Sequence, residues 1–325
     1  MEPRPTSRAW ADASLLLTTI LWGVNISVVK WATFHADPLA FNALRLVVAT
    51  LTLGVIARFV PSARPAPPLS LSSDTGNSAP SPSGVAPTSP FPWLRAILFA
   101  SLNGIFYPLL FMYGIQRTEA GNTALLLATM PIWTAGFSRL FLGERLPRLT
   151  WIGLLTSLSG TIVVIAAGGR VSLSLEDMLG NLLILMAAMA WGGATVVSGP
   201  LMNRISPLRL AFYTSLATTP VHLIVFAVKL PATIAALDQP MLLAAFLYSG
   251  ALSTGVAYAT WHYGVSKLGA SHAAVYQNLV TLVAVTFAVL VLGEALLASQ
   301  VVGGAILFVG LYLMRRGRRG AASRR

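Results

Sequence analysis

The 325-residue chain contains no cysteine, which excludes disulfide frameworks and thiolate metal sites. Charge is almost as scarce. Asp, Glu, Lys and Arg together make up 10% of residues, against about 25% in a soluble domain. There is too little polar surface to coat a globule in water. Acidic residues are the scarcer sign of charge, ten against 22 Lys and Arg, and only Glu176-Asp177 are adjacent. Membrane-embedded transferases need acidic clusters or His/Asp sets, so that class is disfavoured. The four histidines include no i, i+4 pair backed by a carboxylate, as a catalytic zinc would require. No enzymatic activity, metal or cofactor is expected.

Apolar residues fill the space that charge leaves. They form 55% of the chain, and the mean hydropathy is +0.73. Lipid is the expected solvent and the bilayer an expected partner. A net charge of +12 would point to nucleic acid in a soluble protein, but its distribution here follows loops, so no nucleic-acid partner is expected.

Runs long enough to cross about 30 Å of hydrocarbon number ten: 13–33, 39–60, 93–115, 119–141, 148–168, 178–199, 207–229, 241–264, 270–292 and 296–314. The first run is too long for a signal peptide and is followed by no small-residue cleavage site. Connections are short, 230–240 among them. The exception is 61–92, which holds nine of the 20 prolines and many serines and reads as a disordered linker. The last residues, 315–325, form a basic tail. With a cytoplasmic N-terminus, 17 Lys and Arg fall on the inner side, four outside, and Arg45 within a helix. That bias places both termini in the cytoplasm.

The chain is one unit written twice. Phe111-Met112-Tyr113-Gly114 followed by Leu142-Gly143-Glu144, Gly153 and Gly160 returns as Trp261-His262-Tyr263-Gly264, Leu292-Gly293-Glu294, Gly303 and Gly310. Trp22-Gly23 and Pro38 return as Trp191-Gly192 and Pro207. The expected units are 13–168 and 178–314. Five helices per unit is an odd number, so the second must enter the membrane from the opposite face. The expected fold is therefore all-α, ten transmembrane helices as two inverted five-helix repeats around a central cavity. That is the architecture of alternating-access transporters.

These motifs, with Arg45-Leu46, Thr118-Glu119-Ala120 and Met130-Pro131, resemble the drug/metabolite transporter superfamily, specifically its EamA-like ten-helix members. The resemblance covers nearly all of the chain outside the linker and tail. It implies carrier-mediated movement of small metabolites, often export. Two positions depart from internal symmetry: Thr281 stands where Pro131 stands in the first half, and Thr214 opposite Arg45. The proline usual in the family's ninth helix is thus missing.

Candidate substrate-binding residues are those that put amides, hydroxyls or amphipathic rings at mid-depth, where they must pair or line a wet cavity. They are Trp22 and Asn25; Asn103 and Tyr107; Trp191; Thr254 and Tyr258; and Tyr276 and Gln277, beside Asn278. Interhelical contacts are the alternative for each. Arg45 would either meet an anionic group of a substrate or hold structure, for example by pairing with Asp37. Glu144 and Glu294, each after a turn-forming glycine, should accept the unpaired N-terminal amides of the next helix; proton coupling is their second reading. His262 and His272 flank a cytoplasmic turn and could exchange protons, whereas His222 looks peripheral. Pro131 and Pro220 should bend their helices. Gly153, Ser157, Thr161, Gly303 and Gly310 should let helices five and ten pack closely. The expected activity is secondary transport of small organic metabolites, with export of amino acids or related amphipathic solutes ahead of drug efflux or metabolite import. A homodimer stays open.

Overall fold

Helix starts in this chain are set by proline and a preceding cap. In the computed structural model, which describes residues 5–60, 91–143, 146–167, 175–202, 204–268 and 270–322, Asp37 accepts the amides of Leu39 and Ala40 at 3.1 and 3.0 Å, with Pro38 in the first helical turn. The Asp carboxylate satisfies donors that the helix leaves unpaired, and proline gives up none that is needed. Ser206 and Pro207 repeat the arrangement.

The described residues are helical, with no strand among them. The helices are α1 (Pro5–Ala32), α2 (Pro38–Phe59), α3 (Trp93–Arg117), α4 (Ala120–Leu142), α5 (Arg148–Ala167), α6 (Leu175–Met202), α7 (Pro207–Val225), α8 (240–268), α9 (Ala270–Leu292) and α10 (Ala298–Ala322). Six are long and apolar enough to cross a membrane, or seven if α7 and the bent segment Ala227–Ala236 count as one span. Within the described residues, the apolar parts of α9 (Leu279–Leu292) and α10 (Ala298–Met314) are shorter. Large apolar side chains such as Leu51, Leu155, Ile162 and Ile224 are mostly exposed, which is what a lipid-facing surface requires.

The helices pair in a regular scheme. α1 lies against α8 and α9, α6 against α3 and α4, α2 against α7, and α5 against α10. The last pairing is the tightest. A Cβ at Gly310 would meet the backbone of Ser157 and lie 2.6 Å from the Gly153 carbonyl oxygen, and one at Gly160 would lie 2.5 Å from the Leu307 nitrogen. The Ser157 hydroxyl donates to the Leu307 carbonyl at 3.2 Å. Glycine therefore brings two backbones into contact, as the small-residue spacing predicts. Gly23 and Gly192 do the same where α1 crosses α9 and α6 crosses α4: added Cβ atoms would come within 2.6 Å of Val283 and 2.8 Å of Trp133.

Among the described residues, Gly143 and Gly293 are the two glycines with positive φ, 66° and 67°. Each ends a helix in the left-handed conformation that favours glycine. At the second, the Glu294 amide reaches back to the Ala288 carbonyl at 3.2 Å. The Leu-Gly-Glu motif is thus a helix stop.

The break expected beside Pro131 is present and its counterpart at Thr281 is absent, while three further features depart from the sequence reading. α4 breaks at Ala128–Thr129, just before Pro131, whereas α9 runs unbroken past Thr281, whose hydroxyl donates to the Ala124 carbonyl at 3.4 Å. The segment read as the loop 230–240 contains the helix Leu230–Ala236, bent 71° from α7. α3 and α8 each contain a π-helical stretch, Ala100–Phe106 and Tyr248–Val256. Finally, α10 continues to Ala322, so most of the basic tail is helical.

Candidate solute cavity

Residues of both π-helical stretches, Asn103 and Gly104 of α3 and Ser253 and Thr254 of α8, border a space that the bundle does not fill. A cavity of about 170 Å³ is lined by residues of α1, α2, α3, α4, α6, α7 and α8. Wide turns of this kind occur frequently at functional sites. Tyr107 follows the first stretch directly, and Tyr258 lies two residues beyond the second.

Four rings from four helices form the wall. Trp22 and Tyr258 meet edge to face with centroids 5.7 Å apart, Tyr258 and Trp191 are 6.4 Å apart, and Trp191 and Tyr107 5.0 Å. Tilted and edge-to-face pairs of this kind are the favoured ring geometries. The Trp22 indole donates to the Ser253 carbonyl at 2.9 Å, a bond that fixes its ring against the wide turn of α8. Of the nine residues expected to contact substrate, the structure brings Trp22, Asn25, Asn103, Tyr107, Trp191, Thr254 and Tyr258 to this cavity. Asn25 keeps a side-chain oxygen without a hydrogen-bond partner. Tyr276 is not among the lining residues; its hydroxyl donates to Asp12 at 2.8 Å, tying α9 to α1. The side chain of Gln277 lies outside the described residues, as do those of His262 and His272, and as does Glu144.

Arg45 reaches the cavity from α2 and does not pair with Asp37, which is occupied as a helix cap. Its Nε donates to Asn42 Oδ1 at 3.0 Å, and one terminal nitrogen donates to Ser249 and Thr254 at 3.2 and 3.3 Å. His222 is not peripheral. It is 1% exposed, with Nε2 2.8 Å from the Gly104 carbonyl oxygen and Nδ1 3.5 Å from Asn42 Nδ2. A visible signal was missed here: Ser215, Thr218, Thr219 and His222 recur at helical spacing along one face of α7.

One end of the cavity is closed. The largest buried apolar cluster, including Val29, Phe41, Ile115, Ala120 and Ala288, gathers at the C-terminal end of α1. Lys30 is buried there and donates to the carbonyls of Ile115 and Gln116 at 2.9 and 3.2 Å, capping α3. A cation at a helix C-terminus complements the dipole and the unpaired carbonyls. Glu294 does not cap the helix that follows it. Its carboxylate accepts the amides of Ala120 and Gly121 at 2.7 and 2.9 Å, the N-terminus of α4. Beside it, Gln300 donates to Asn122 at 2.7 Å and to Glu119 at 3.3 Å. Burial, and then the Glu294 charge, hold the Glu119 carboxyl above its usual range.

The cavity can hold one ring-sized solute, with apolar faces on several sides and a few hydrogen-bonding groups between them. Comparison with known proteins supplies the family. The model of the EamA-like transporter family matches residues 9–166 and 178–316. The chain belongs to the EamA-like transporter family. It is an integral membrane protein. It is 25% identical to "Uncharacterized transporter YoaV" of Bacillus subtilis, over 92% of this chain and 94% of that one. It is 28% identical to the "Probable terminal-alkyne amino-acid exporter" of Streptantibioticus cattleyicolor, over 94% and 98%. It is 24% identical to the "Probable amino-acid metabolite efflux pump" of Salmonella typhimurium, over 92% of each. A solved crystal structure covering 98% of this chain and 99% of its own, at 18% identity and a TM-score of 0.61, shares the fold.

Proposed function

We propose that this EamA-like protein is a secondary transporter of the inner membrane that exports small amphipathic solutes, amino acids or their relatives, by alternating access. The observation that carries this reading is the ring of Trp22, Tyr107, Trp191 and Tyr258 around a cavity closed at one end. Rings on several sides hold the apolar part of a solute, while Asn25, Asn103 and Thr254 offer hydrogen bonds. The names of two relatives, amino-acid exporter and amino-acid metabolite efflux pump, support the same solute class.

The reading takes α1–α10 as ten spans in two inverted halves. The pairing scheme supports it, since exchanging helices one to five with six to ten carries α1–α9 onto α6–α4 and α1–α8 onto α6–α3. It leaves α2–α7 and α5–α10 unchanged. The paired π-helical stretches and left-handed glycines follow the same exchange. Two equivalent halves can trade conformations and so move the opening from one side to the other. With both termini cytoplasmic, the Lys30 end is extracellular and this conformer faces inward.

Counterflow into proteoliposomes, across a panel of amino acids, their N-acyl derivatives, nucleosides and cationic drugs, tests the proposal. An amphipathic amino-acid-like solute should exchange, and Trp22→Ala, Tyr107→Ala and Tyr258→Ala should each slow exchange at least about tenfold while leaving the protein monodisperse. Normal exchange by all three variants would remove the cavity from the transport path.

A further inference from the structure

Arg45 has more hydrogen-bonding capacity than the protein uses. It is 7% exposed and sits in the cavity wall. Guanidinium offers five N–H donors in a planar fork. Nε and one terminal nitrogen are engaged by Asn42, Ser249 and Thr254, all neutral. The other terminal nitrogen has no acceptor among the described residues, yet it is not enclosed. No described carboxylate pairs with Arg45 either, and the titratable groups facing it are Tyr107, Tyr258 and His222. A buried cation held only by neutral dipoles is costly to keep. Anchoring α2 to α8 explains the bonds to Ser249 and Thr254, but it leaves the second terminal nitrogen idle.

The guanidinium is also held in one posture. Nε–H can only donate, so Asn42 must turn its oxygen to Arg45 and its amino group to His222 Nδ1. The Gly104 carbonyl can only accept, so His222 carries its proton on Nε2 and leaves Nδ1 to accept. Donors and acceptors match along the whole relay from Arg45 to the wide turn of α3. A relay of this kind fixes the direction of the fork, which is what a recognition group requires.

We propose that the unoccupied edge of Arg45 is an anion-binding subsite for the carboxylate of an organic acid whose apolar, ring-sized body lies against Trp22, Tyr107, Trp191 and Tyr258. This rests on the transport reading above and narrows it. The subsite selects for a carboxylate, and no described acidic residue lines the cavity to demand a positive charge on the solute. An ammonium is tolerated through the ring faces and is not required.

The test uses the full chain in lipid nanodiscs, with binding read from tryptophan fluorescence because Trp22 and Trp191 line the cavity. The probes are N-acetyl-phenylalanine and its primary amide, matched except for the charge, with zwitterionic phenylalanine as a third arm. Hydrogen bonds to a charged group predict that the acid binds about 30-fold more tightly than the amide. In Arg45→Gln the ratio should fall below about threefold, and Arg45→Lys should retain part of it, which a purely structural arginine would not produce. If Arg45→Gln does not fold, the wild-type ratio and Arg45→Lys still decide. Equal binding of acid and amide by the wild type, with both exchanged in counterflow, overturns the subsite and leaves the transport reading standing. Absence of binding and exchange for every amphipathic probe overturns both.

Discussion

Glu294 joins two parts of the chain that are more than 170 residues apart, and its removal has a size that can be worked out. Its two oxygens accept the amides of Ala120 and Gly121 at 2.7 and 2.9 Å. A hydrogen bond to a charged group contributes about 1.5–3 kcal/mol, and loss of an ordinary helix cap costs about 0.5–2 kcal/mol. The site is partly buried, so water replaces some of what is lost, and Glu294→Ala should cost about 2–4 kcal/mol. Glu294→Gln keeps one acceptor oxygen but loses the charge facing the helix dipole, so about 1–2 kcal/mol is expected. Melting of the purified protein should therefore rank wild type above Glu294→Gln above Glu294→Ala. If the contact also holds the closed end shut, its loss raises the open population. Because the chain lacks cysteine, Ile26→Cys, at the edge of cavity and closed cluster, is a single reporter. A membrane-impermeant maleimide added on the Lys30 side should label it at least about tenfold faster in the Glu294→Ala background, the ratio for 1.4 kcal/mol. Melting and labelling both unchanged in Glu294→Ala would refute the assignment.

Two further outcomes follow from packing and charge. Gly310→Ala would drive a methyl group into the backbone of α5, where no rotamer can yield; it should cost more than the roughly 1–3 kcal/mol of ordinary overpacking. Gly136→Ala, with nothing within 4 Å of the new atom, should be tolerated and gain up to about 1 kcal/mol of helix propensity. Size-exclusion profiles and melting temperatures separate the two. The Glu119 carboxyl titrates above its ordinary 4.5 in the folded protein, first from burial and then from the Glu294 charge. The folded state therefore holds that proton more tightly than the unfolded chain, so stability declines as pH rises through the raised value. Glu119→Gln should melt higher than wild type at neutral pH, and the gap should close on acidification toward 4.5; an identical gap at both pH values would contradict the assignment.

Much of the cavity was legible in the sequence because its residues obey a depth rule. Rings and amides in the middle of apolar runs have few places to go, and Trp22, Asn25, Asn103, Tyr107, Trp191, Thr254 and Tyr258 line one space. Tyr276 follows the same depth rule but faces α1 and Asp12, so depth without helix face misassigns it. Glu294 was given to its sequence neighbour, yet the turn at Gly293 aims it at a helix of the other half. The helix Leu230–Ala236 escaped because seven residues fall below any span-length window. The π-helical stretches have no hydrophobic signature; Asn103-Gly104 and Ser253-Thr254-Gly255, small or polar in otherwise apolar helices, were the available hints.

A straight α-helix at either wide turn would need one residue fewer. Straightening either turn at unchanged length would turn everything beyond it by about 100° and push it on by about 1.5 Å. Tyr107 or Tyr258 would then leave the solute space without any change in its own identity. How the helix winds at these two places thus sets the shape of the binding chamber as firmly as side-chain choice does. Deleting the extra residue as the helix straightens would instead leave both rings where they are, so winding and chain length must change together for the chamber to keep its form.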